Sequence, residues 1–220
     1  MVHLEAMADS ELGGRRGILM VVSSPSGAGK TTLAHLLAQN ERLEFSVSYT
    51  TRAPRSGEKD GVHYHFVDEA KFMALNAAGE FLEHAHVHGN WYATSATWLK
   101  QQIHDGHDVL LEIDWQGAAQ VRTLIPSAVL IFILPPTLAS LKERLEKRGQ
   151  DAPDVIARRM DAAREEMRHC GDFDYVIMNQ DFARAVDDLS TIVRAARLAA
   201  PRQMVRHARL IAQLLNPDAN

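Results

Sequence analysis

Four short stretches of unbroken apolar character restrict this chain to few architectures: Gly17 to Ser23, Asp108 to Ile113, Ala128 to Leu134 and Asp174 to Met178. Each is one strand long, and none alternates apolar with polar residues. Strands that are apolar at successive positions are covered on both faces, as in parallel sheets packed between helices. The intervals carry matching helical patterns. Lys30 to Gln39 places Leu33, Leu36 and Leu37 on one side. Pro135-Pro136 stops one strand, and Thr137 is a cap for the helix beyond it. The expected fold is α/β, a parallel sheet flanked by helices.

Composition narrows the class further. With 220 residues, the chain is long enough to bury a real core. Its 46% hydrophobic and 24% charged content excludes a wholly disordered chain. Lys plus Arg is 24 and Asp plus Glu is 28, a formal charge of −4, which argues against broad nucleic-acid binding. The single cysteine, Cys170, cannot form an internal disulfide and suits a reducing compartment. It reads as structural rather than catalytic. No run approaches the roughly 18 apolar residues of a membrane span. Ile18 to Val22 after Arg15-Arg16 is too short for a signal peptide. A cytoplasmic protein with no membrane partner is expected.

Two stretches break the alternation. Ser46 to Thr94 is polar, with short alternating segments such as His63 to Val67, and reads as a small mixed α/β insertion. Arg144 to Arg168 is charged and rich in Arg, with Gly149 and Pro153 between two helical patterns. Residues 1–15 lack periodicity and read as a flexible tail. The expected division is tail 1–15, core 16–45, insertion 46–95, core 96–138, an arm at 139–170, and core with C-terminal helices at 171–220. Arg202 to Leu215 is an amphipathic helix that would serve either as an oligomer contact or as a helix packed on the core.

The first strand runs into Ser24-Pro25-Ser26-Gly27-Ala28-Gly29-Lys30-Thr31-Thr32, where a helix opens. This fits the phosphate-loop pattern G-x-x-x-x-G-K-[ST] except at its first position, which is Ser24. The chemistry needs successive backbone N–H groups turned inward on phosphate oxygens, so glycine is required where a side chain would intrude. The helix N-terminus adds partial positive charge. Lys30 reaches the β- and γ-phosphates, and the Thr31 hydroxyl is placed for Mg2+ accompanying ATP. Alone, the loop says only that a nucleoside triphosphate binds.

Downstream, Arg52 and Arg55 straddle Pro54, and Glu58 can fix one of them. Two forked guanidinium groups held together suit a dianionic phosphate. The run Thr50-Thr51-Arg52-Ala53-Pro54-Arg55, with Gly57-Glu58 and Gly61-Val62-His63-Tyr64, resembles the GMP-binding segment of guanylate kinase. So do Glu80-Phe81-Leu82-Glu83, Gly89-Asn90-Trp91-Tyr92 and Glu112-Ile113-Asp114-Trp115-Gln116-Gly117. The likeness runs from about Gly17 to Leu198 and is nearest the bacterial form. It departs at Tyr92-Ala93-Thr94, where the family has a Tyr-Gly-Thr/Ser turn.

The resemblance implies a P-loop kinase with a GMP-binding insertion and a helical lid, transferring the γ-phosphoryl group of ATP to GMP. Arg52, Arg55, Tyr64 and Tyr92 match positions that hold the GMP phosphate, with Glu58 beside them. Ser48, Glu83, Thr94, Glu112 and Asp114 match those around the guanine. Glu83 is chemically telling: guanine offers N1–H and N2–H2 side by side, two donors for one carboxylate, whereas adenine N1 is an acceptor. Arg148 and Arg159 match lid arginines that neutralise charge during transfer. Two rivals are a binding module that uses the GMP pocket for phosphopeptides and a kinase of phosphorylated sugars. Lys30 and the lid arginines argue against the first, Glu83 and the Thr50–Tyr64 segment against the second. His84, His86 and His88 alternate, and read as exposed histidines beside a nucleotide site rather than a metal centre.

Overall fold

The computed structural model describes residues 17–87, 89–147 and 153–216. The tail 1–15, His88 and Arg148 therefore lie outside the described residues. Strand β1 (Leu19–Ser23) leads into helix α1 (Lys30–Glu41), followed by β2 (Glu44–Phe45). An insertion follows: β3 (Tyr49–Thr50), β4 (His65–Phe66), α2 (Glu69–Ala77), β5 (Phe81–Val87) and β6 (Asn90–Ser95). The chain returns through α3 (Ala96–His104), β7 (Val109–Glu112), α4 (Trp115–Leu124) and β8 (Val129–Leu134). Helices α5 (Leu138–Lys147) and α6 (Pro153–Arg168) and a 3-10 turn (His169–Asp172) precede β9 (Tyr175–Met178). Helices α7 (Phe182–Leu198), α8 (Ala200–Arg206) and α9 (Ala208–Leu215) close the chain.

The first sheet is five-stranded, in the order β2-β7-β1-β8-β9, and every pairing in it is parallel. The period of two sorts its apolar runs onto two faces. Met20 and Val22 of β1 pack with Leu33, Leu37, Leu189 and Val193 of α1 and α7. Leu19 and Val21 pack on the other face with Leu99, Ile103, Ala118 and Val121 of α3 and α4. That two-sided burial is why β1 reads as a continuous apolar run.

The fourth run behaves differently. Ile177 is buried, but Tyr175, Val176 and Met178 are 43%, 46% and 51% exposed. β9 is the last strand of the sheet, and of its side chains Ile177 joins the core beneath α7. The C-terminal pattern is also two helices, broken at His207, and no side chain of either is buried. The expectation of a helix packed on the core is corrected accordingly.

Polar caps set the helix starts. Asp68, Ser95, Asp114 and Asp181 each accept from a backbone N–H three residues on, and Thr137 Oγ1 accepts from Ser140 N–H at 3.0 Å. The last turn of α1 is tied to α7 by ions. Glu41, buried, accepts from Arg194 Nε at 2.9 Å and Arg197 Nη1 at 3.0 Å. Arg197 Nε also donates to Asp108 Oδ2 at 2.7 Å, and Asp108 Oδ1 accepts from Ile18 N–H at 2.8 Å. Replacing one partner of a buried network strands the others. Glu41→Ala is expected to cost about 2–4 kcal/mol and lower Tm by roughly 5–12 °C in a melt of the full chain. A loss under about 1 kcal/mol would show that solvent already screens the network.

Candidate active site

The insertion forms a second, four-stranded mixed sheet, ordered β4-β3-β6-β5. Gln120 of α4 clamps it to the core, accepting from His84 N–H at 3.2 Å and donating to His84 O at 2.8 Å. Its own small core is Phe72, Phe81 and Ala93, with Tyr49 and Trp91 packed against them. Ala93 lies in strand β6, paired with Tyr49 and His84. The tripeptide Tyr92-Ala93-Thr94 is thus extended backbone rather than a turn, and an L-residue fits without strain.

Between this sheet and the carboxyl ends of β1 and β7 lies a cavity of about 260 Å3. One wall is Ser24, Pro25, Ser26, Gly27, Gly29, Lys30, Thr31 and Thr32. Gly27 and Gly29 sit at φ 92° and 91°, left-handed positions that free the loop to curl its amides inward. Lys30 Nζ donates to Ile113 O at 3.1 Å and lies 3.7 Å from Glu112 Oε1. Thr31 Oγ1 donates to the same oxygen, Glu112 Oε1, at 2.6 Å. Ala28, fully buried, lines nothing but offers its carbonyl to Arg144 Nη1 at 3.0 Å and Asn179 Nδ2 at 2.9 Å. Arg144 and Asn179, with Lys147 and Phe182, line a second cavity that shares Gly27, Gly29 and Thr32.

The opposite wall holds Ser48, Tyr64, Glu83, Ala85, Val87, Tyr92 and Ala93. Glu83 is 4% exposed and accepts from Thr94 Oγ1 at 2.7 Å, so Thr94 acts beneath the cavity rather than on its surface. Burial pushes the Glu83 carboxyl up to about 7, with Asp114 adding to the rise and Thr94 and Lys30 opposing it. Asp114 lines the cavity and also caps α4, accepting from Gly117 N–H at 2.9 Å. Burial raises its carboxyl as well. The same period of two that aims Glu83, Ala85 and Val87 inward turns His84 and His86 onto the ring of Trp91. His84 and His86 are absent from the cavity lining.

Arg52, Arg55 and Glu58 stand outside the cavity lining. Arg52 Nη2 donates to Glu58 Oε1 at 2.9 Å, and its guanidinium lies 5.4 Å from the Tyr64 ring centroid. Glu58 Oε2 accepts from Arg55 N–H at 2.7 Å, while the Arg55 side chain is exposed. Glu58 outweighs the burial that would lower Arg52, whose guanidinium is raised, and Arg52 in turn holds the Glu58 carboxyl down against its own burial. Tyr64 is pushed up to about 12, chiefly by burial. Arg159 is half-buried on α6.

Several residues escaped sequence reasoning. Gly117 is one: an added Cβ would overlap Glu83 Oε2, so this glycine leaves room for the carboxylate. Glu166 lines the cavity from α6, and the Ile113 carbonyl orients Lys30. No spacing pattern links α6 to the loop, since their meeting depends on how the arm folds back.

A glycine-rich loop between the central parallel strand and its helix, with a lysine turned toward a cavity beyond the strand ends, defines a P-loop kinase. A guanylate kinase family model matches residues 16–196. A guanylate kinase of Aromatoleum aromaticum is 60% identical over 192 residues, covering 87% of this chain and 94% of that protein. One from Dechloromonas aromatica is 54% identical over 200 residues, covering 90% and 99%. The crystal structure of guanylate kinase from Anaplasma phagocytophilum superposes with a TM-score of 0.78 at 36% identity, covering 94% of this chain and 100% of that one. The chain belongs to the guanylate kinase family.

Proposed function

We propose that the two walls of this cavity hold the two substrates of one phosphoryl transfer, the donor at Ser24–Thr32 and the acceptor at the insertion. The reaction is transfer of the γ-phosphoryl group of ATP to GMP, giving GDP and ADP, in purine nucleotide metabolism. The observation that supports this division is one cavity with a phosphate loop at one end and the buried carboxylate of Glu83 at the other.

The loop amides and Lys30 bind the β- and γ-phosphates, and the donor nucleoside extends toward the second cavity at Arg144, Asn179 and Phe182. Glu83 accepts from guanine N1–H and N2–H2, with Ser48, Thr94, Glu112 and Asp114 completing the base site. Arg52, Arg55, Tyr64 and Tyr92 take the GMP phosphate, Glu58 keeping Arg52 aimed. A GMP phosphate oxygen is already anionic, so no side-chain base is needed. The protein supplies positioning and charge neutralisation. Arg148 and Arg159 close over the triphosphate with the lid at 139–170 and help exclude water. Thr31 Oγ1 and Glu112 Oε1 are hard oxygen atoms 2.6 Å apart at the mouth of the loop, a pair that suits Mg2+. Thr31 would hold the ion, which neutralises phosphate charge when bound. The chain works in the cytoplasm in this reading, with no nucleic-acid or membrane partner. Among the described residues no helix is long and apolar enough to cross a membrane. A homo-oligomer stays compatible with it, because α9 exposes Leu210, Leu214 and Leu215.

Arg52→Ala is the test of the division. It should raise KM for GMP by about 30-fold or more while KM for ATP moves less than threefold, since one charge-assisted contact is worth about 2–4 kcal/mol. Steady-state kinetics with each substrate varied in turn measures both. Weaker ATP binding with unchanged GMP binding would assign the insertion to the triphosphate.

A further inference from the structure

Glu166 has no part in this scheme, yet its carboxylate sits in the donor wall. It lies on α6, and its Oε2 accepts from the Ser26 backbone N–H at 3.0 Å. Ser26 belongs to the phosphate loop, whose amides are built to meet anionic oxygen. Glu166 lines the same cavity as Gly29 and Lys30. An anionic side chain thus sits on a donor that a phosphate oxygen needs.

The charges around it are mixed. Burial raises the Glu166 carboxyl, the Ser26 amide and Lys30 of α1 oppose that, Asp114 from the start of α4 adds to the rise, and Arg159 of α6 itself opposes it. The arm that carries Glu166 has its own small core of Leu141, Leu145, Met160 and Ala163, separate from the two sheet cores. Its α5 residues Leu141 and Leu145 rest against Gly27. Glu166 and Arg144, which donates to the Ala28 carbonyl at 3.0 Å, are its polar ties to the loop.

We propose that Glu166 is a positioning residue that stands in for a donor phosphate oxygen. With no triphosphate in the loop it latches α6 onto Ser26, and the incoming triphosphate displaces it. This rests on the reading of Ser24–Thr32 as the donor site. Two anions cannot share one N–H, so the latch is released by the ligand it resembles, and donor binding is coupled to movement of the arm. A latch closed in about 70–90% of nucleotide-free molecules weakens apparent donor affinity by about 3–10-fold.

The test is equilibrium binding of a non-hydrolysable ATP analogue with Mg2+ and without GMP, by calorimetry, to wild type, Glu166→Gln, Glu166→Ala and Lys30→Ala. Gln keeps the size and one acceptor for Ser26 N–H but loses the charge, and a thermal melt checks that the variant is folded. Both Glu166 variants should bind the analogue about 3–10-fold more tightly. Amide hydrogen exchange in α6 should be faster than wild type without nucleotide and equal to it with the analogue bound. A merely structural Glu166 would speed exchange in both states. Unchanged or weaker analogue binding by both variants, or equal α6 exchange without nucleotide, overturns the latch. If instead Lys30→Ala binds the analogue as wild type does, the donor site itself is misassigned.

Discussion

Lys30→Ala should fold normally and turn over about 10²–10⁴-fold more slowly, a loss of roughly 3–5 kcal/mol of transition-state stabilisation. Charge spreads over the transferring oxygens in phosphoryl transfer, and a fixed cation beside them acts most strongly where water is excluded. Lys30 is such a cation. Its Nζ is held by the Ile113 carbonyl at 3.1 Å and balanced by Glu112 at 3.7 Å, with the side chain only 19% exposed. None of these contacts carries a sheet or a core, so the melting temperature should move by only a few degrees. The measurement is kcat by coupled ADP release, beside a thermal melt. Near-normal turnover in a correctly folded variant would falsify the assignment of the loop.

Glu83→Gln should lower kcat/KM for GMP at least about 10²-fold, or roughly 3 kcal/mol. The amide keeps the shape and can still accept from Thr94, but its NH2 now points at guanine donors. Activity with AMP should stay flat or rise slightly, because the amide can donate to adenine N1. The GMP-to-AMP ratio of kcat/KM in both proteins decides the matter, since a site built for one hydrogen-bonding edge discriminates strongly. An unchanged ratio would move base recognition to Ser48, Thr94 and Asp114.

The same carboxyl makes a pH-dependent contribution of opposite sign to the usual paired acid. Its value of about 7 in the fold exceeds the ordinary 4.5, so between these limits the folded protein holds a proton that the unfolded chain has lost. Stability contributed by Glu83 therefore falls as pH rises through that window, and the full cost is present at pH 8. Glu83→Gln should remove this slope and leave the protein more stable at pH 8 by on the order of 2 kcal/mol, read from melts at pH 5 and pH 8. GMP binding to the wild type, which needs the ionised form, should tighten as pH rises from 6 to 8. The variant should show a smaller trend, only the part that the second ionisation of the GMP phosphate near about pH 6 contributes.

Much of this protein is local, and local features are legible in a chain. The run Ile18–Val22 carries apolar side chains at successive positions because both faces of β1 are covered, and that alone announces a parallel sheet. The phosphate loop is contiguous, since its glycines, lysine and threonine act through one stretch of backbone entering one helix. The cap at Thr137 works within three residues. What the sequence could not supply depends on distant segments meeting. Glu83 is followed by His84 and, two positions further, His86, and only pairing with β6 against α4 shows which of the three faces the cavity. Gly117, on helix α4, matters because the Glu83 carboxylate of the second sheet needs its empty space. β9 looked covered on both sides by its composition, but strand order placed it at an edge. Glu166 meets Ser26 across 140 positions of chain. The sequence by itself determined the phosphate chemistry and the layered fold, because propensity and periodicity act over a few residues. Tertiary structure decided which carboxylates enter the cavity, because that follows from packing between segments that share no local pattern.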